Sequence, residues 1–127
     1  MKAIKVSTEN IISVVEIEEP AWRGMGKEVG GSFEHVLPRG LQLFGKDLCM
    51  IVNEEGKLIG LIPNSLGTDL YNFKSKFIEP IVGDILIMAD GFANGEPDII
   101  GLTDTQIEYI RRELVEAFDF LTDEEVS

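Results

Sequence analysis

Cys49 and His35 are the single thiol and the single imidazole of the chain. A cysteine beside a histidine is the smallest set that can run nucleophilic catalysis, because the imidazole takes the thiol proton. Such a pair also needs a third group to orient the ring. Both residues fall in strand-like stretches, and no third member is evident. Cys49 lies in the apolar run Leu48-Cys49-Met50-Ile51-Val52, where a buried, inert thiol is the expectation. A lone cysteine excludes an internal disulfide, and a lone histidine excludes a His-rich metal site. The sequence therefore assigns no catalytic residue, no metal and no cofactor.

A second polar group surrounds the stretch Asn53-Glu54-Glu55-Gly56-Lys57 and the following Pro63-Asn64. Asn53, Glu55, Lys57 and Asn64 would converge if a hairpin tip and a strand exit carry them. They are the candidate ligand-binding residues. The competing expectation is turn chemistry, since tight exposed loops favour these residue types. Tyr71, Phe73, Lys74, Lys76 and Phe77 interleave aromatic and basic side chains, as single-strand binders do. Two lysines form a weak electrostatic funnel in a chain of net charge −12, so core anchoring is favoured. Gly24-x-Gly26-x-x-Val29 lacks the last glycine of a dinucleotide fingerprint and sits inside a helical pattern. Asp90, Asn94 and Gly95 match part of a calcium loop, but Phe92 and Gly101 occupy ligand positions. A turn is the better reading.

The elements that would position these residues follow from periodicity. Residues 2–7 alternate and residues 11–17 are β-branched and apolar, which predicts an N-terminal hairpin. Pro20 opens a short helix with Ala21, Trp22, Met25 and Val29 at helical spacing, and Gly30-Gly31 ends it. Residues 32–37 form a strand, and 41–44 a short strand or extended piece. Residues 48–52 and 58–62 are expected to pair as a hairpin, with Gly56 left-handed in its loop. Leu66, Leu70, Phe73 and Phe77 step helically, although Gly67 and Asn72 oppose a stable helix. Residues 81–89 form a strand buried on both faces, followed by a mobile turn region at Asp90-Gly91 and Asn94-Gly95. Thr103 and Gln106 form a capping box, and Leu102 and Ile107 a hydrophobic staple. The final helix carries the stripe Ile107, Ile110, Leu114, Phe118 and Leu121. The whole is one α+β domain over residues 1–127, with a mainly antiparallel sheet and a short acidic C-terminal tail. The longer C-terminal helix packs on the sheet.

Charge narrows the partners. The chain has 11 basic and 23 acidic residues. A net negative chain repels phosphate, so nucleic acid is not an expected partner. Residues 102–127 hold eight acids against Arg111 and Arg112. No apolar run approaches the ~18 residues that cross a bilayer, and no signal-like segment opens the chain. A cytoplasmic location without membrane contact is expected. On the helical wheel Tyr109 and Phe120 fall opposite the apolar stripe, beside Glu113 and Glu116. These four are the candidate partner-binding residues, for a basic host protein or a second copy of the chain. The competing expectation is that the helix frays before Phe120 and the ring folds back on the core.

Three stretches resemble a known family. They are Val29-Gly30-Gly31 before a strand, Asn53-Glu54-Glu55-Gly56-Lys57 with Pro63-Asn64, and Ile81-Val82-Gly83 with the later Leu102-Thr103-Asp104. The chain resembles domain of unknown function three-eight-four-six, whose members are short proteins of bacteria, phages and conjugative elements. Asp84 stands where a small hydroxyl residue is common in that family. The resemblance implies no activity. The expected function is a non-catalytic, acidic protein-interaction module of a bacterium or mobile element. The alternative is a small-molecule-binding or enzymatic domain built on the Asn53–Asn64 cluster.

Overall fold

The computed structural model describes residues 1–124. Three helices pack on a seven-stranded sheet. The strands are β1 (Lys2–Val6), β2 (Ile11–Glu16), β3 (Phe33–Val36), β4 (Leu48–Asn53), β5 (Ile85–Ala93), β6 (Glu96–Ile100) and β7 (Thr122–Asp123). The helices are α1 (Ala21–Val29), α2 (Ser65–Tyr71) and α3 (Asp104–Ala117). The order across the sheet is β3-β4-β5-β1-β2-β7, with β6 paired to the far half of β5. All pairs are antiparallel except β2 with β7. The fold is α+β, as the periodicity predicts.

Side-chain alternation along the central strands separates two cores. Ile4, Met50, Ile85 and Ile87 face one side, where Leu66 and Leu70 of α2 and Ile107, Ile110 and Leu114 of α3 cover them. Ala3, Cys49, Ile51, Leu86 and Met88 face the other, covered by Met25 and Val29 of α1. This explains the uninterrupted apolar runs of β4 and β5, since a strand covered on both faces has no solvent side for polar residues. The capping box forms as expected: the Gln106 N–H donates to Thr103 Oγ1 at 3.1 Å, and the Thr103 N–H donates to Gln106 Oε1 at 2.8 Å.

Several expectations need correction. The 48–52/58–62 hairpin does not form. β4 pairs with β3 and β5 instead, and residues 54–60 make turns that leave Leu58 and Ile59 exposed. An apolar run next to a strand is ambiguous evidence when an apolar surface patch reads identically. Gly56 is not the left-handed residue; that conformation belongs to Gly60, at φ 77°. Residues 39–43 are a 3₁₀ turn rather than a strand. Asp90 and Gly91 lie within β5, and the turn is Asn94-Gly95, whose positive φ angles of 53° and 80° close the β5–β6 hairpin. Trp22 is exposed although Met25 and Val29 of the same helix are buried. Phe77 lies outside α2 and is exposed. Within the acidic tail Thr122 and Asp123 form β7 beside β2; residues 125–127 lie outside the described residues.

Gly24 supplies a test of how closely α1 docks. An alanine inside a helix usually stabilises by about 1 kcal/mol relative to glycine. Here an added Cβ would stand 2.3 Å from Glu18 O and 2.7 Å from Glu18 N, both backbone atoms. Gly24→Ala should therefore destabilise the domain by about 1–3 kcal/mol, the range for overpacking. A melting temperature at or above that of the parent would show that the helix has room to move.

Candidate functional site

The polar residues around Asn53 do not gather into one site. Asn53 is buried at the end of β4. Its Nδ2 donates to Val29 O at 3.0 Å, and its Oδ1 accepts from the Glu55 N–H at 2.8 Å. It thus ties the end of α1 to the turn after β4. Asn64 is fully buried and caps α2. Its Nδ2 donates to Val6 O and Gly83 O, each at 3.0 Å, and its Oδ1 accepts from the Gly67 N–H at 2.9 Å. Both asparagines serve the backbone, as buried polar groups must. Lys57 pairs with Glu79, and Glu55 points to solvent. Asn53 and Lys57 share a shallow cleft of about 170 Å³ with Tyr71 and Glu79; Glu55 and Asn64 do not line it.

The structure does assemble a group that sequence spacing did not show. His35 on β3, Cys49 on β4 and Asp90 on β5 lie on the same face of three adjacent strands. The register pairs His35 with Ile51 and Cys49 with Met88, so His35 and Asp90 stand diagonally on either side of Cys49. His35 Nε2 and Asp90 Oδ1 are 2.7 Å apart. One donor atom from each of the three residues lies within 4.8 Å of the others. Asp90 is the third member missing from the Cys49–His35 pair, hidden because its stretch reads as a turn.

The arrangement is not that of a cysteine nucleophile. In such a triad the imidazole stands between thiol and carboxylate and takes the thiol proton. Here the imidazole is bonded to the carboxylate, and no hydrogen bond joins it to the thiol among the described residues. Burial, followed by the negative charge of Asp90, pushes the Cys49 thiol up to about 12. Cys49 is protonated at neutral pH and has no solvent access.

The candidate partner residues on α3 are also separated. Tyr109 is exposed, with the Arg112 guanidinium 5.8 Å from its ring centroid. Glu113 is half-buried near Arg112. Glu116 lines a groove of about 1100 Å³ between α3 and the β2–β7 edge, with Val14, Val115 and Leu121. Phe120 is off the helical wheel, because α3 ends at Ala117. Its ring instead meets that of Phe118 at 5.7 Å, and Phe118 packs against the core. Phe120 stays exposed, but it is off the helical face on which periodicity places it with Tyr109, Glu113 and Glu116.

The described residues define a layered α+β domain whose sole thiol–imidazole pair is not arranged as a nucleophile. The family model for Domain of unknown function (DUF3846) matches residues 1–115, and the chain belongs to that family. No curated protein matches it in sequence. Among solved structures it is similar to part of the small RNA methyltransferase HEN1, with a TM-score of 0.59 and 11% identity. The likeness covers 87% of this chain and 16% of that one. At this identity it shows the fold alone.

Proposed function

We propose that the protein is a non-catalytic, acidic interaction module that binds a basic protein in the cytoplasm of a bacterium or the host of a mobile element. The observation that carries this reading is a set of large, exposed apolar side chains on two loops that are tied to each other. Leu58, Ile59 and Ile62 on the first, and Phe77 and Ile78 on the second, are each more than half exposed. Single exposed apolar residues are ordinary, but a cluster on joined loops marks a contact surface. The loops are tied together by the Lys57–Glu79 pair and by the Gly83 N–H donating to Ile62 O at 2.8 Å. The second loop is latched at its base. Asn72 Nδ2 donates to Thr68 O at 2.7 Å and Glu79 O at 2.8 Å, and its Oδ1 accepts from the Glu79 N–H at 2.7 Å. A display fixed in this way loses little conformational freedom on binding. The net charge of −12 selects a basic partner. The small-molecule alternative has less support, since its two asparagines already serve the backbone.

The test is the double variant Leu58→Ser with Phe77→Ser. Both side chains are solvent-exposed, so thermal stability should stay within about 0.5 kcal/mol of the parent. The parent should capture a basic protein from lysate in a salt-sensitive manner, and the variant should recover at least about tenfold less, a loss of 1.4 kcal/mol. Equal recovery by both, or self-association of the parent alone, would overturn the reading.

A further inference from the structure

We infer that His35, Cys49 and Asp90 form a binding site for one zinc-class divalent cation, with water as its fourth ligand. The donors are an imidazole nitrogen, a sulfur and a carboxylate oxygen, mutually within 4.8 Å. Tetrahedral zinc has bonds of about 2.0–2.3 Å to these atom types, which separates its ligands by roughly 3–4 Å. The cluster needs only a small opening of the 2.7 Å contact between His35 and Asp90 to admit the ion. The three residues lie on adjacent, mutually hydrogen-bonded strands, so the donor atoms are held by rigid backbone rather than by loops.

The donor set chooses the metal class. Sulfur and imidazole favour zinc and its neighbours over magnesium or calcium, which prefer all-oxygen cages. The sulfur lies on the protein side, since Cys49 is buried. His35 and Asp90 are partly exposed and open onto a cleft of about 670 Å³ that Asp47 and Asp98 also line. That opening provides an entry path, room for the fourth ligand and a negative field at the mouth. Binding replaces the thiol proton by the ion and releases that proton to water. The chemistry is thus a cation held across three strands beside the exposed Phe92.

The experiment uses the untagged full chain, stripped with a chelator, and the metals alone as probes. Titration with Co²⁺ should give one ion per chain, a near-ultraviolet sulfur-to-cobalt charge-transfer band and visible bands of tetrahedral cobalt. Zinc should bleach them. Cys49→Ser and His35→Gln should each lower zinc affinity by at least about tenfold in calorimetry, and Cys49→Ser should remove the charge-transfer band. The parent's cobalt spectrum decides the matter even if a variant misfolds. Absence of the sulfur band in the parent would overturn the assignment. So would zinc binding that is undiminished in a folded Cys49→Ser variant, since the ion would then sit on surface carboxylates.

Discussion

Asn64→Ala should lose about 3–5 kcal/mol of stability, a large part of the 5–15 kcal/mol that holds a typical domain. The side chain is fully buried and makes three hydrogen bonds to three separate segments: Val6 O on β1, Gly83 O before β5, and the Gly67 N–H in the first turn of α2. Each of the three buried partner groups left unmatched costs at least about 1 kcal/mol. The third of these bonds is the cap of α2. Asn64→Ser retains an acceptor for the cap alone and should fall between the alanine variant and the parent. Urea unfolding followed by far-ultraviolet circular dichroism measures all three. An alanine variant within about 0.5 kcal/mol of the parent, the range for ordinary surface positions, would mean that Asn64 is free for a ligand after all.

This role explains why the residues that carry the family resemblance looked like a site and are not arranged as one. Asn53 binds the end of α1 through Val29 O, which joins the Val29-Gly30-Gly31 stretch to the Asn53–Lys57 stretch. Asn64 binds Gly83 O, which joins the Pro63-Asn64 step to Ile81-Val82-Gly83. These four stretches are the ends of two side-chain clamps. Residue types at one position show polarity, but they do not show whether the polar atoms face a ligand or the chain's own backbone.

What was legible depended on range. The capping box of α3 joins residues three apart, and its sequence signature is specific; it forms as read. The burial of β5 on both faces follows from a continuous apolar run. The β5–β6 hairpin was lost because Asp90-Gly91 reads as a turn, whereas the strand continues through both residues to Ala93. That single boundary error also hid the His35–Cys49–Asp90 group, which joins positions 35, 49 and 90 through a strand register that no sequence period encodes. The fate of Phe120 turned on where α3 ends. A wheel drawn past Ala117 places the ring on the outer face of α3, but the chain has already left the helix, and the exposed ring lies against Phe118 instead.

Leu86→Ala and Ile87→Ala should each cost about 2–5 kcal/mol, although they are neighbours pointing in opposite directions. In a sheet with one wet face, adjacent positions alternate between costly and nearly neutral. Here both side chains are fully buried. Ile87 pairs with Ile4 and Met50 beneath α2 and α3. Leu86 sits among Ala3, Ile17, Met25, Val29 and Ile51 beneath α1. The comparison chiefly tests α1, since its nine residues cover that side of the sheet. A helix so short has little intrinsic stability and is held by its contacts: the close approach of Gly24 to Glu18, the Asn53 clamp on Val29 O, and Gly30, whose φ of 88° ends the helix. If these hold α1 in place, the cavity left by Leu86→Ala cannot collapse, and its cost matches that of Ile87→Ala. A loosely docked α1 would settle into the space, and Leu86→Ala would then cost only the transfer term of the lost atoms, about 2 kcal/mol, and less than Ile87→Ala. Chemical unfolding of the two variants distinguishes these outcomes, and an unequal pair would mean that the sheet is firmly covered on one face only.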